Sequence, residues 1–141
     1  MANALFDPGR EGIIDDTISL TVGVIKTCLM RGYTFNAAHK FMNELVATGT
    51  IHLTNAALAS KTYTNGVFDA ADQALGAVTA NANNHVVIIY QASAVTGGSD
   101  VAQSAQRVIA FIDTGTNYPI IPNGGDITLA WDNGSNKIFK A

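Results

Sequence analysis

Charged side chains are scarce in this sequence. Asp, Glu, Lys and Arg make up only 13% of its 141 residues, about half of the share a globular protein usually carries. The remaining surface must be built from Asn, Thr, Ser, Gly and Ala. Such a surface sheds water at low cost and suits a subunit that buries much of itself against partners; a neutral monomer of low solubility is the plainer alternative. The eight Lys and Arg form no cluster and the net charge is −3, so the basic patch that nucleic-acid binding requires is missing. A single cysteine, Cys28, excludes an intrachain disulfide and reads as a small buried hydrophobe. No apolar run reaches the roughly 18 residues of a membrane helix. The N-terminus, MANALFDPGREG, lacks the basic region and apolar core of a secretory signal. A soluble protein is expected, with neither nucleic acid nor membrane as partner.

What is present is hydrophobic and β-branched. Hydrophobic residues at 48% of a 14.8 kDa chain suffice for one domain spanning residues 1–141. Residues 126–132 alternate, with Ile127, Leu129 and Trp131 on one face and Thr128 and Ala130 on the other, the period of a half-buried strand. Asp132-Asn133-Gly134 tolerates the positive φ of a tight turn, so a hairpin returning through Lys137, Ile138 and Phe139 is predicted. The Trp131 ring faces the core and its indole N–H needs an acceptor. Two nearly continuous apolar runs, 85–90 and 107–113, read as central strands covered on both faces. Ile88, Ile109 and Phe111 are assigned with Trp131 to the core.

The intervening elements are shorter. Residues 17–30 suit a strand region, bulged or broken at Gly23. After Asn36, the spacing of Ala37, Ala38, Phe41, Met42 and Leu45 predicts a helix of about nine residues ending before Gly49. Strands are expected at 50–53 and at 56–64, the latter anchored by Leu58 and Tyr63, before a turn at Asn65-Gly66. A loop from residue 67 leads into a strand at 73–79. Residues 92–106 form a long loop, mobile or ordered by a partner. Tyr118-Pro119 and Pro122-Asn123-Gly124-Gly125 turn the chain into the final hairpin. Residues 1–16 read either as a short helix from Pro8 to Ile14 or as an extended arm that docks on another subunit, with the helix preferred. The sum is a mainly-β fold: an antiparallel β-sandwich (jelly-roll-like) or a partly open barrel, with one or two short helices.

Reactive chemistry is hard to find. His39, His52 and His85 have no metal-ligand spacing, and one cysteine cannot build a zinc site. His39 is expected on a solvated helix face, His52 and His85 at strand starts. Asp15, Asp16, Asp69 and Asp72 read as turn carboxylates that bond nearby backbone N–H groups. Serine-nucleophile and phosphate-cradling patterns are absent. Tyr33, Phe35, Tyr63, Tyr90 and Phe111 show no clustering of the kind a base-stacking platform needs. No enzyme, metal or cofactor is expected.

Two segments carry a resemblance. MANALFDPGREG with DTISLTVGVIKTCLM, and VIIYQ followed by RVIAFIDTGTNYPIIPNGGDITLAWDNGSNKIF, are similar to the opening and the end of a family of small virion proteins of tailed bacteriophages. The similarity covers about two thirds of the chain; PNGGDIT and WDNGSNKIF are its most specific parts, and residues 32–80 are only loosely similar. The resemblance implies a structural component without catalytic residues, made in the host cytoplasm and placed on the capsid exterior. A capsid decoration (cement) protein is the preferred role, binding the major capsid protein and associating with itself as a dimer or trimer. A tail, fibre or spike component is the first alternative and a glycan-binding module the second. Partner contacts are expected from the arm, through Leu5, Phe6, Asp7 and Arg10, and from a loop at Thr96, Gly97, Gly98, Ser99 and Asp100.

Overall fold

The computed structural model describes residues 3–114, 118, 120–131 and 137–140. In chain order its elements are β1 (Ala4–Leu5), α1 (Asp7–Ile14), β2 (Val24–Arg31), α2 (Met42–Val46), β3 (Thr50–Ala57), β4 (Val67–Phe68), β5 (Gln73–Ala77), β6 (His85–Ser93), β7 (Arg107–Ile112), β8 (Asp126–Leu129) and β9 (Phe139–Lys140). One antiparallel sheet of five strands runs in the order β1-β7-β6-β2-β3, and two antiparallel pairs, β4 with β9 and β5 with β8, form separate short sheets. The expected mainly-β fold therefore forms, with two short α-helices among the described residues and no closed barrel.

The apolar runs at β6 and β7 lie at the middle of the large sheet and are covered on both faces, as their composition predicts. Alternation sends Val87 and Ile89 to one face and Ile88, Tyr90 and Ala92 to the other. In β7 the alternation breaks once. Ile89 pairs with Ala110 and Tyr90 with Val108, leaving Ile109 as an extra residue. This bulge lets the consecutive Ile109 and Ala110 fill the same core. On that face the two short sheets supply Phe68, Leu129 and Phe139, with Trp131 beside them. The Trp131 indole N–H finds its expected acceptor in Ala71 O at 3.1 Å.

The other face is closed by the segment between β2 and β3. Tyr33, Met42 and Leu45 pack there against Cys28, Met30, Ile88 and Phe111. Cys28 is fully buried, and burial pushes its thiol pKa up to about 12, so it is the inert small hydrophobe expected.

Several boundaries shift for local reasons. The helix after Asn36 is only α2. Asn36 Oδ1 is spent on a turn, accepting Ala38 N–H at 3.0 Å, and Glu44 Oε1 accepts the N–H groups of Lys40 and Phe41, each at 3.0 Å. That acceptor fixes the helix start at Phe41. The strand region at 17–30 begins only at Val24, because Gly23 N–H bonds back to Ser19 O at 2.9 Å and closes a turn. The strand expected at 50–53 forms and runs on as the irregular β3, which ends before Leu58, so the separate strand expected at 56–64 does not form. Asn65 and Gly66 both take positive φ, 56° and 76°, and reverse the chain between the bonded pair Thr62 and Asp69. The C-terminal hairpin needs the largest correction. Its outgoing arm, β8, pairs with β5, and its returning arm, β9, pairs with β4. The turn at Asp132-Asn133-Gly134 and the Pro119 half of Tyr118-Pro119 lie outside the described residues. No helix among the described residues is long and apolar enough to cross a membrane.

Candidate interaction surface

The two stretches expected to touch partners end in different places. β1 pairs with β7, Ala4 opposite Phe111 and Leu5 opposite Ala110. Phe6 follows with its N–H on Ile109 O at 3.0 Å and its ring 5.0 Å from that of Phe35. Leu5 is buried and Phe6 is 0% exposed. Pro8 then starts α1 as predicted, and Gly9 brings the helix so close to β7 that an added Cβ would sit 2.9 Å from both Val108 O and Ile109 O. The arm reading is thereby corrected: Leu5 and Phe6 fill the protein's own core. Only Asp7 and Arg10 remain exposed, paired with each other at 3.1 Å.

Arg107 locks this segment in place. Its guanidinium is buried; it donates to Thr17 Oγ1 at 2.8 Å and to Pro8 O at 2.7 Å, and lies 5.8 Å from the Phe41 ring centroid. Thr17 in turn donates its backbone N–H and hydroxyl to Asp15 Oδ1, which holds the Asp15 carboxyl below the usual range.

The loop at 94–102 stays on the surface and is ordered by its own chain. Gly98 N–H donates to Val95 O and Val101 N–H to Ala92 O, each at 2.9 Å. The Thr96 hydroxyl donates to Val22 O at 2.8 Å, and Lys26 Nζ pairs with Asp100 Oδ1 at 2.8 Å. Thr96, Gly97, Ser99 and Asp100 are exposed and Gly98 partly so. Gly97 takes a φ of +67° with no atom within 4 Å of an added Cβ. The Thr96 bond also carries the turn before β2 to this end of the sheet. The result is three exposed valines around one loop: Val95 at 66%, Val22 at 50% and Val101 at 41%. The sequence reading, which named only Thr96 to Asp100 here, missed all three valines. Their signal was an apolar residue among Ser, Thr, Gly and Asp neighbours, and Val22 is distant in the chain from the other two.

The remaining candidates are structural. His85 opens β6, fully buried, with Nδ1 donating to Asn83 O at 2.7 Å and the ring 4.8 Å, edge-on, from His52. His52 Nε2 donates to Thr79 O at 2.9 Å, leaving Nδ1 to accept from Arg31 at 3.1 Å. Burial, reinforced by His52 and Arg31, pushes the His85 pKa down. His39 sits in a turn and not on a helix, bonded to Tyr33 Oη at 2.8 Å. Asp72 accepts Trp131 N–H at 3.0 Å, a backbone partner 59 residues along the chain in place of the local one expected. Three of the aromatic residues do meet, but in packing: Phe35 and Phe111 rings lie 5.1 Å apart and Tyr33 and Phe111 rings 6.2 Å apart, in the second core. They offer no surface for stacking. No group of three or more metal-ligating side chains occurs among the described residues.

No known relative narrows the reading, because no family model, curated protein or solved structure matches this chain.

Proposed function

We propose that this protein is a structural component of a tailed-bacteriophage particle: a capsid decoration protein that binds the assembled head lattice and stabilises it. The observation that carries the reading is the loop end, where Val22, Val95 and Val101 are exposed around residues 94–102 and the one nearby ion pair, Lys26 with Asp100, is already neutralised. Such a surface is inexpensive to desolvate and gains from burial. The similarity of both ends of the chain to small virion proteins supplies the partner, the major capsid protein, and self-association as a dimer or trimer follows from the same similarity. The mechanism is mass action. A protein that binds the lattice but not its separated subunits shifts the balance toward the lattice.

The test is quantitative mass spectrometry of purified virions, counting this chain against the major capsid protein. A one-to-one ratio, or a simple fraction of it, is the expected result. A dozen copies or fewer would move the protein to the tail, and absence from the particle would end the virion reading.

A further inference from the structure

A cleft on the opposite flank of the large sheet carries an inference of its own. β3 is the edge strand of the five-stranded sheet, and β5 is an edge of its own pair. Three contacts hold them side by side: Ala71 N–H donates to Ala59 O at 2.9 Å, Gln73 Nε2 to Ala56 O at 2.8 Å, and His52 Nε2 to Thr79 O at 2.9 Å. The facing residues run in opposite directions at a near-constant offset, the relation of antiparallel neighbours. Yet only the first contact joins backbone to backbone. At Ala56 a glutamine side chain stands where a strand's N–H would be, so the strands are further apart than the about 4.8 Å of a ladder. A cleft of about 410 Å³ lies between them, lined in part by Ala56, Ala57, Ala59, Ala71 and Ala74.

A directional chain of hydrogen bonds links two of its lining residues, Asn55 and Gln73, through the buried Thr27 beneath them. Asn55 Nδ2 donates to Thr27 Oγ1 at 2.7 Å, the Thr27 hydroxyl donates to Gln73 Oε1 at 2.6 Å, and Gln73 Nε2 donates to Ala56 O. Every link points the same way. At the head of the chain Asn55 Oδ1 is buried without a partner, an arrangement that costs stability until a donor arrives. The missing group is therefore a hydrogen-bond donor. The lining offers no cation for an anion and no aromatic face for a sugar ring, and its one charged residue, Asp72, disfavours an acidic ligand. What it offers is the open edge of a strand beside small side chains, which is what an extended peptide backbone recognises.

We propose that the β3/β5 cleft binds an extended, non-acidic segment of another polypeptide, which lies along β3 as an added strand and donates a backbone N–H to Asn55 Oδ1. Gln73 holds the place meanwhile; as the segment enters, its amide yields Ala56 O to a peptide N–H. This binding needs no phage particle and stands or falls apart from the virion reading.

The test is selection of a random octapeptide display library on the full-length protein, followed by titration of enriched synthetic peptides into ¹⁵N-labelled protein. Enriched sequences should be poor in Asp, Glu and Pro, and amide shifts should concentrate at residues 53–57 and 73–75. Ala74 is exposed, so Ala74→Arg should leave the melting temperature unchanged while weakening binding at least about tenfold by filling the cleft. Asn55→Ala should weaken it by a similar factor, and Gln73→Ala, which removes the internal competitor, should tighten it. No enrichment, shifts confined to another surface, or peptides that bind Ala74→Arg as tightly as the wild type would overturn the proposal.

Discussion

The N-terminal segment and the loop at 94–102 began as equals, two stretches expected to reach for partners. They differ in what the rest of the chain does to them. The N-terminal segment meets β7 along its length: Leu5 pairs with Ala110, Phe6 enters the second core, and Gly9 lies against the backbone of Val108 and Ile109. The loop is bonded to its own ends, to Val22 and to Lys26, and leaves Val95 two-thirds exposed. An apolar residue near a terminus is thus no indication of an interface when an open strand of the same chain is there to receive it. An apolar residue that remains exposed after the loop's own hydrogen bonds are made is a better indication.

Substitutions should separate the two regions by size of effect. Phe6→Ala removes a fully buried ring and should cost about 3–5 kcal/mol in denaturant unfolding. Gly9→Ala should cost about 2–3 kcal/mol, because the added methyl meets two backbone oxygens that cannot rotate away; a loss under 0.5 kcal/mol, within the ordinary surface range, would mean α1 is not held against β7. Acidification should act on neither region but on the buried start of β6. His85 is held neutral with a depressed pKa, so below about pH 6.5 the unfolded chain takes up the proton first and stability falls with pH until the folded His85 titrates. The unfolding midpoint should therefore drop between neutral pH and mildly acidic pH; a midpoint that rises over that window would contradict the neutral assignment. In the loop, Asp100→Asn should cost less than about 1 kcal/mol, since its pair with Lys26 is partly solvated, and the loss should shrink further in high salt. Val95→Ser should change stability by no more than about 0.5 kcal/mol yet reduce incorporation into particles several-fold. Normal incorporation of Val95→Ser would remove the loop from the proposed interface.

These contrasts also mark what the sequence made legible. β6 and β7 could be read because their β-branched runs leave no solvent face, and α1 because Pro8 has the fixed φ of a first helical turn. Pairing partners were not legible. The alternation of Ile127, Leu129 and Trp131 identifies a strand, but nothing in it selects β5 over the segment just beyond the turn. The short α2 depended on where one carboxylate, that of Glu44, places its hydrogen bonds. The loop was visible as a gap between apolar runs, whereas its valines were not, because Val22 joins them only through the Thr96 hydroxyl. The β3/β5 cleft was invisible for the same reason: Thr27, Asn55 and Gln73 come from three strands and meet only in the folded chain.

The sealed thiol has a practical consequence. Cys28 is the chain's one cysteine, fully covered and with its pKa pushed up to about 12, so a maleimide dye at neutral pH should ignore the native fold. A cysteine introduced at an exposed position that is not among the residues of either proposed contact, such as Ile14, would then take one fluorophore per molecule without any need to mutate the natural thiol. Stepwise photobleaching of single labelled particles would count copies directly, and the same label would report exchange between bound and free protein in real time.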